Sequence, residues 1–285
     1  MEIDQLRAFI AVVQTKNFTK AAETLHVAQS TITTRIKSLE DSIGKSLFER
    51  DNRTVQLTSS GKVFLPYAQK VLELIQKSRN AINSDNYFDK YIVVGSTHTI
   101  WDYVLYPIVR DFQDHNRNIG LRFITNHSQE VIQGIMDGII DIAVVYLRPH
   151  HPEIQVNFFR EEHIHLVGSK TYFDELEVVG DNVLRNYPFI HLDWGTPFSE
   201  WFNEVIGKDE PFFLQVDHMS IHIQYLLEGK GIGFMPTSVL ERYKEEGLVE
   251  LPTNFSKPIP TRPMYIIYLK RKHEFIQSLL SDLNK

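Results

Sequence analysis

The sequence predicts a multidomain α/β protein: an N-terminal winged helix-turn-helix at 1–58, a long linker helix at 59–85 and a two-lobed α/β domain at 86–285. Three patterns support this prediction. Short helical repeats and a hairpin fill the first segment, a long apolar stripe follows, and strands then alternate with helices. With 285 residues, of which 42% are hydrophobic and 23% charged, the chain can bury several cores, and its composition excludes a disordered or fibrous protein.

Hydrophobic spacing predicts three short helices before residue 45. Thr19 and Ser30 are the expected N-caps of the second and third helices, and Gly44 is the expected C-terminal stop of the third. The buried face of the third helix should consist of Ile32, Ile36, Leu39 and Ile43. A turn sequence at 51–53 lies between two apolar segments and predicts a short hairpin, which completes a winged helix-turn-helix.

The linker helix at 59–85 carries an apolar stripe that advances by threes and fours. Its members are Phe64, Tyr67, Ala68, Val71, Leu74, Ile75, Ser78 and Ile82. A stripe of this length without cover in its own domain needs a partner helix, so we expect it to dimerise the chain. The alternative is that the stripe is one more core helix of the following domain.

The segment from residue 86 onwards alternates strand and helix patterns. Each predicted strand is a continuous run of apolar residues. Such runs indicate strands that are buried on both faces and therefore a mostly parallel sheet. The predicted strands are 91–95, 121–124, 141–145, 163–167, 189–192, 212–216, 232–235 and 264–269. The economical architecture has two lobes, the first formed by about 86–161 and 266–285 and the second by about 162–265.

Composition excludes several classes of protein. The chain contains no cysteine, which rules out disulfides, thiolate zinc sites, iron–sulfur clusters and a cysteine nucleophile. Its net charge of -6 means that binding to nucleic acid would need a local basic surface. The start Met1-Glu2-Ile3-Asp4 lacks an apolar signal segment, and no apolar run is long enough to span a bilayer. We therefore expect a soluble, cytoplasmic protein with no membrane partner.

A string of spaced residues up to Gly61 carries a family resemblance. It comprises AAETL at 21–25, AQSTITTRI at 28–36, and then Leu39, Glu40, Gly44, Leu47, Phe48, Arg50, Leu57, Thr58 and Gly61. These residues resemble the LysR-type transcriptional regulators, and the chain length and domain order agree with that family. The resemblance implies a sequence-specific DNA-binding regulator with a periplasmic-binding-protein-like effector domain. It also implies a homodimer through the linker helix, and a homotetramer through the effector domains.

The third helix has the side chains that a recognition helix needs. Its polar residues are Gln29, Ser30, Thr31, Thr33, Thr34 and Arg35. Glutamine can pair with adenine and arginine with guanine, while threonine also offers a methyl group to thymine. Arg50 and Arg53, on the wing, are placed to meet phosphates or the minor groove. The alternative is a merely solvated helix face, but the nearby arginines favour a double-stranded DNA partner, read as an inverted repeat by a two-fold dimer.

The effector site should lie where the strands of the two lobes end, because open α/β sheets bind ligands there. The candidate residues are Ser96, Thr97, His98, Asn126, Ser128, Arg148, His191, Thr196, Asp217 and Met235. The serines and threonines at helix starts have helix capping as an alternative role. Arg148 would pair with an anionic small-molecule effector. Its alternative is a structural ion pair with Asp102 or Asp141.

Three other functions compete with that of a regulator. Metal sensing could use His163 with His165 or His98 with His127, but ligand spacing is poor, so we expect no metal and no other cofactor. Catalysis is disfavoured because the G-x-S-x-G, Walker and G-x-G-x-x-G patterns are missing where they would be needed. A transport-type solute-binding protein shares the two-lobed fold, but would not carry a DNA-reading segment.

Overall fold

The computed structural model describes residues 1–49, 55–84, 87–173, 178–207 and 212–283. The chain forms two compact units, Met1–Tyr91 and Ile92–Lys285. Within the described ranges, no helix combines the length and the apolar character that crossing a membrane requires.

The first unit contains four helices and the base of a wing. The helices are α1 (Ile3–Thr15), α2 (Phe18–Thr24), α3 (Gln29–Ile43) and α4 (Ser59–Ser84). Phe48 and Leu57 form an antiparallel bridge, and Glu49 donates a backbone hydrogen bond to Gln56. We call residues 47–57 the wing; its predicted tip at 51–53 lies outside the described residues.

The starts of α2 and α3 differ from the predicted ones. Asn17 caps α2 instead of Thr19, since its Oδ1 accepts hydrogen bonds from the backbone N–H groups of Thr19 and Lys20 at 2.8 and 3.0 Å. Helix α3 begins one residue before Ser30, with Ala28 at the cap position and no side-chain cap bond. Asparagine is as good an N-cap as threonine, and here it precedes the first helical residue directly.

Helix α3 packs on α1 and α2 through one apolar face. Ile32, Ile36 and Leu39 are buried in the core of the first unit. Gly44 ends the helix in the left-handed conformation, at φ 73°, as the sequence predicts. Ile43, predicted on the same buried face, is instead 36% exposed, because the helix runs past the edge of the core there.

Helix α4 has two apolar faces. Its inner face packs on the core of the first unit through Phe64, Leu65, Ala68 and Leu72, and the ring of Phe64 lies 5.2 Å from that of Phe9. Its outer face exposes Val63, Tyr67, Val71, Leu74 and Ile82. The predicted stripe combined members of both faces, since Phe64 and Ala68 belong to the inner one.

The junction between the wing and α4 is a close backbone contact. Thr58 Oγ1 donates to the Ser46 carbonyl at 2.7 Å and accepts from the Gly61 N–H at 3.0 Å. A Cβ atom on Gly61 would lie 2.1 Å from the carbonyl oxygen of Leu47. Only glycine fits at this point without moving the backbone.

The second unit continues the chain through strands and helices in two lobes. In chain order these are β1 (Lys90–Ser96), α5 (His98–Ile100), a π-helical turn (Trp101–Leu105), α6 (Tyr106–His115), β2 (Ile119–Thr125), α7 (Ser128–Met136), β3 (Ile142–Val145), β4 (Ile154–Glu162), β5 (Ile164–Ser169), α8 (Lys170–Phe173), α9 (Val183–Asn186), β6 (Ile190–Leu192), α10 (Phe198–Val205), β7 (Leu214–Val216), α11 (Met219–Leu227), β8 (Gly233–Pro236), α12 (Thr237–Tyr243), β9 (Leu248–Glu250), β10 (Arg262–Leu269), a 3₁₀ turn (Lys270–Lys272) and α13 (His273–Leu283).

The sheets of the two lobes are mixed, so the prediction of a mostly parallel sheet is wrong. The first lobe has the strand order β2-β1-β3-β10-β4, and the second has β8-β5-β9 with a separate β6-β7 pair. Strands β1 and β3 are parallel, as are β6 and β7, whereas β10 is antiparallel to both β3 and β4. The chain leaves the first lobe along β4 and returns along β10, so these neighbours must run in opposite directions.

Strand β4 lies near the predicted boundary between the lobes. Glu162, its last residue, pairs with Arg262, the first residue of β10, in the sheet of the first lobe. The sequence patterns did not predict β4. Its nine residues alternate only weakly between buried and exposed positions, and three charged residues, 160–162, end it.

Helix α11 buries a histidine inside the second lobe. His222 has 0% exposure, its Nε2 lies 3.1 Å from the carbonyl oxygen of Ile190, and its Nδ1 has no hydrogen-bond partner. Burial lowers the pKa of His222 to about 4. The ring is therefore neutral at physiological pH.

We expect the second unit to lose stability as the pH falls from 7.5 to 5. His222 takes up a proton near its ordinary pKa of 6.5 in the unfolded chain but only near pH 4 in the folded one, so acid favours unfolding. The expected loss at pH 5 is about 2 kcal/mol. Urea denaturation followed by tryptophan fluorescence measures it, because Trp101, Trp194 and Trp201 all belong to this unit.

The matched variants are His222→Gln, which keeps a neutral N–H donor, and His150→Gln at an exposed position. The first should weaken the pH dependence of unfolding and the second should leave it unchanged. Equal pH dependence in His222→Gln and in the unmodified chain would contradict this account.

Candidate functional site

Helix α3 presents the predicted polar side chains on the side opposite its core contacts. Gln29, Ser30, Thr33 and Thr34 are exposed, and Thr31 is half-buried. Because the buried face fixes the rotation of the helix, these side chains form one continuous polar surface at its N-terminal half. We call Gln29, Ser30, Thr31, Thr33, Thr34 and Arg35 the reading face.

Two hydroxyl groups of the reading face already have a hydrogen-bond acceptor. Thr33 Oγ1 donates to the carbonyl oxygen of Gln29 at 3.1 Å, and Thr34 Oγ1 donates to that of Ser30 at 2.9 Å. Each hydroxyl keeps its lone pairs and each side chain its methyl group. They can accept from adenine N6 or cytosine N4, or contact a thymine methyl.

Arg35 is held by an ion pair to another helix. Its Nη2 donates to Asp4 Oδ2 at 2.9 Å, and the other oxygen of Asp4 lies 3.9 Å from Nη1 of Arg7. The Arg35 side chain is 26% exposed. The sequence patterns did not predict this contact, because it joins residues 31 positions apart on different helices.

The wing is joined to α3 by a carboxylate. Glu40 Oε1 accepts hydrogen bonds from the backbone N–H groups of Leu47 and Phe48, at 2.6 and 3.2 Å. This contact fixes where the wing begins relative to the reading face. The wing arginines predicted to contact DNA, Arg50 and Arg53, lie outside the described residues.

The predicted effector residues of the first lobe lie at the ends of neighbouring strands. Ser96 ends β1 and is fully buried, and its Oγ donates to the carbonyl oxygen of Val144 at 2.7 Å. Its hydroxyl therefore joins β1 to β3. The backbone N–H of Asn126 donates to the Ser96 carbonyl at 3.1 Å, which brings the ends of β1 and β2 together.

Helix capping does not account for the side chains next to these strand ends. Thr97 occupies the N-cap position of α5 without a side-chain cap bond, and its Oγ1 is buried with no hydrogen-bond partner. Ser128 is the first residue of α7, where His127 holds the cap position. His98 and Asn126 are exposed. Among these residues, Thr97 therefore has a buried hydroxyl group that makes no hydrogen bond.

Arg148 lies exposed beyond β3. Its guanidinium carbon is 5.8 Å from the centre of the Tyr265 ring. Asp141, one of the partners considered for it, is buried and accepts from the backbone N–H of Val93 at 2.9 Å, with Lys272 Nζ at 3.5 Å. The guanidinium of Arg148 therefore lies beside an aromatic ring.

The remaining predicted effector residues belong to the second lobe and differ in exposure. Thr196 and Asp217 are exposed, whereas Met235 is fully buried in the lobe core. His191 stacks on Phe212, with ring centres 4.1 Å apart and planes 5° from parallel. Burial lowers the pKa of His191. Met235 and His191 therefore contribute to packing within their own lobe.

A buried charged cluster lies where the chain crosses between the lobes. Glu162, at the end of β4, accepts from the Tyr146 hydroxyl at 3.2 Å and from the Ser238 backbone N–H at 3.1 Å. The guanidinium carbon of Arg262 is 3.6 Å from the centre of the Tyr146 ring and 5.4 Å from that of Trp194. We call these five residues the crossing cluster.

Two polar atoms of the crossing cluster are buried without a hydrogen-bond partner, Arg262 Nη1 and Ser238 Oγ. Burial lowers the pKa of Arg262, and the nearby Tyr146 and Glu162 oppose that shift. Sequence reasoning missed Glu162, Ser238 and Arg262. The missing signal was β4, because its pairing with β10 is what brings the first and last of these residues together.

Of the histidines predicted as possible metal ligands, His165 has hydrogen-bond partners through both ring nitrogens. The rings of His163 and His165 are 6.4 Å apart, and His165 contacts Glu250 at 2.8 Å through Nδ1 and Thr237 at 2.9 Å through Nε2. Among the residues that the structure describes, no group of three histidine or carboxylate side chains could hold a metal ion.

Two family models match the chain. Residues 3–62 match the bacterial regulatory helix-turn-helix protein of the lysR family, and residues 89–282 match the LysR substrate binding domain. Among curated relatives, HTH-type transcriptional regulator YusT of Bacillus subtilis is 28% identical and covers 98% of this chain and 93% of its own length. CitR of the same organism, another HTH-type transcriptional regulator, is 26% identical and covers 98% of each chain.

Solved structures share the fold over the whole length. The crystal structure of CbnR, a LysR family transcriptional regulator, covers 99% of this chain and 98% of its own, with a TM-score of 0.77 at 22% identity. Full-length CbnR complexed with its target DNA covers 99% of each chain, with a TM-score of 0.76 at 22% identity.

The two family matches fall on the helix-turn-helix unit and on the two-lobed unit, in the order that the fold shows. The relatives are transcriptional regulators rather than enzymes. The chain belongs to the LysR family of transcriptional regulators, with a DNA-binding helix-turn-helix followed by an effector-binding domain.

Proposed function

We propose that this regulator works in the cytoplasm and binds an inverted-repeat operator as a homodimer, which associates further into a homotetramer. An anionic metabolite bound between the two lobes controls it. The main support for DNA binding is the reading face. Its exposed hydrogen-bonding side chains lie on α3, and the opposite side of this helix is buried. Such a helix suits the major groove, where base edges differ in their donors and acceptors.

Arg35→Ala or Thr33→Ala should remove sequence discrimination by the reading face. Each base contact contributes about 1–3 kcal/mol of discrimination, whereas neither side chain supports the core. The melting temperature should therefore stay nearly unchanged. Footprinting on the DNA that flanks the gene for this chain measures operator binding, and scanning calorimetry measures stability. Normal operator binding by both variants would remove the reading face from the proposal.

The outer face of α4 supports dimerisation. Val63, Tyr67, Val71 and Leu74 follow one another at intervals of three and four residues, and each is at least 37% exposed. This is the spacing of a helix that packs along a second helix. Since the inner face already packs on the first unit, the outer face is available for a second copy of the chain.

Leu74→Glu should shift the chain from dimer towards monomer, because it places a charge in the centre of the buried helix pair. Sedimentation velocity across a concentration series measures the shift, and at least a tenfold weaker association is expected. The control is Gln76→Glu, which adds the same charge at another exposed position of α4. Unchanged association in Leu74→Glu would exclude this face as the dimer contact.

The crossing cluster supports an effector with an anionic oxygen. Arg262 Nη1 and Ser238 Oγ are buried without partners, and an unsatisfied buried polar group costs about 1–3 kcal/mol. A ligand oxygen that accepts from Arg262 would offset this cost. Arg148, which the sequence suggested for this role, is less suited because its side chain is exposed and can hydrogen-bond with water.

Arg262→Lys should abolish the stabilisation that an anionic effector gives, since lysine keeps the charge but loses the planar donors. Thermal shifts with acetate, succinate, benzoate and inorganic phosphate provide the measurement. An anion that raises the melting temperature of the unmodified chain should have no effect on Arg262→Lys and an unchanged effect on Arg148→Ala. The opposite pattern would return the role to Arg148.

A further inference from the structure

The carboxylate of Asp4 reaches from α1 to the reading face of α3. One of its oxygens accepts from Arg35 Nη2 at 2.9 Å, and the other lies 3.9 Å from Arg7 Nη1. Asp4 is 53% exposed, so the contact lies at the surface. A surface ion pair contributes only about 0–1 kcal/mol to stability. Its effect on the orientation of Arg35 is therefore of more interest than its effect on folding.

The position of Asp4 is fixed by its neighbour in sequence. Gln5 is buried, its Oε1 accepts from the Glu2 backbone N–H at 2.8 Å, and its Nε2 donates to Ser38 Oγ at 3.0 Å. Ser38 lies one helical turn beyond Arg35 on α3. The first turn of α1 is thus attached to α3 independently of Asp4, and this attachment holds the carboxylate beside the guanidinium.

An arginine held in this way has fewer conformations and fewer available partners. One nitrogen of its guanidinium is engaged by Asp4, while the other N–H groups can still donate to an acceptor such as guanine N7 or O6. A long arginine side chain without such a partner can turn to a phosphate, which gives affinity but carries no sequence information.

We propose that Asp4 is a positioning residue for DNA recognition: it holds Arg35 towards one base pair of each half-site and away from the phosphates. This inference rests on the proposed role of the reading face. Asp4 itself reduces affinity for DNA in general, because it places a negative charge near the duplex, and in exchange it raises specificity.

The test compares full-length chains with Asp4→Asn and Asp41→Asn. Both variants remove one negative charge, and Asp41 is exposed on the C-terminal half of α3, beyond the reading face. Each chain selects binding sites from a randomised double-stranded DNA library, and the affinity for the selected sequence is then measured over a range of salt concentrations. Melting temperatures check that each chain is folded.

Asp4→Asn should lose about 5- to 150-fold discrimination at one base pair of each half-site, which corresponds to one bidentate contact. Its affinity for random DNA should rise, and the slope of log K against log salt should steepen by about 0.9 for each phosphate that Arg35 gains. Asp41→Asn should keep every base preference of the unmodified chain. In an Arg35→Ala background, Asp4→Asn should cause no further loss of discrimination.

Two results would overturn the inference. If Asp4→Asn selects the same sequences with the same discrimination as the unmodified chain, Asp4 does not position Arg35. If it loses discrimination equally with and without Arg35, it acts by another route. A selection in which the unmodified chain enriches no common sequence would instead remove the proposed DNA-reading function, and this inference with it.

Discussion

Burial of Ile32, Ile36 and Leu39 determines which side chains of the first unit can meet another molecule. Each of these side chains contributes about 1.5–3 kcal/mol when it leaves water, and together they allow only one rotation of α3 on α1 and α2. The polar residues between them must then point outwards. The same rotation brings Arg35 and Ser38 to the first turn of α1, where Asp4 and Gln5 meet them. Specific contacts at the surface therefore depend on apolar contacts beneath it.

The sequence was sufficient for features that depend on local pattern. The three helices, the stop at Gly44 and the long helix α4 follow from spacing along a single segment. Contacts between residues that are distant in the sequence could not be predicted from local patterns. The partner of Arg35 is distant in sequence, and Arg262 and Glu162 meet only because β10 pairs with β4. Strand β4 itself escaped prediction because the alternation along its nine residues is weak.

The buried charged and unpartnered polar groups of the crossing cluster lie where the chain passes between the two lobes of the effector-binding unit. Strands β4 and β10 are paired along their length at one edge of the first lobe's sheet, and the chain passes to and from the second lobe at their Glu162–Arg262 end. Glu162 and Arg262 are register partners at the end of this strand pair, and the Arg262 guanidinium lies over the rings of Tyr146 and Trp194. Arg262 Nη1 and Ser238 Oγ, both buried without a partner, would be stabilised by an added hydrogen-bond acceptor. A molecule bound at this place would contact the residues where the chain passes between the two lobes.

The contact of Gly61 with the carbonyl of Leu47 has a mechanical consequence. Because glycine has no side chain, the backbones of Gly61 and Leu47 are in direct contact at the base of α4. The Thr58 hydroxyl adds hydrogen bonds to Ser46 on one side and to Gly61 on the other. The base of the wing at Leu47 is therefore held directly against the start of α4. In the proposed homodimer, a small change in the angle between the two α4 helices would alter the distance between the two reading faces. In that homodimer, the close contact at Gly61 would keep the base of the wing and the start of α4 together while that angle changes.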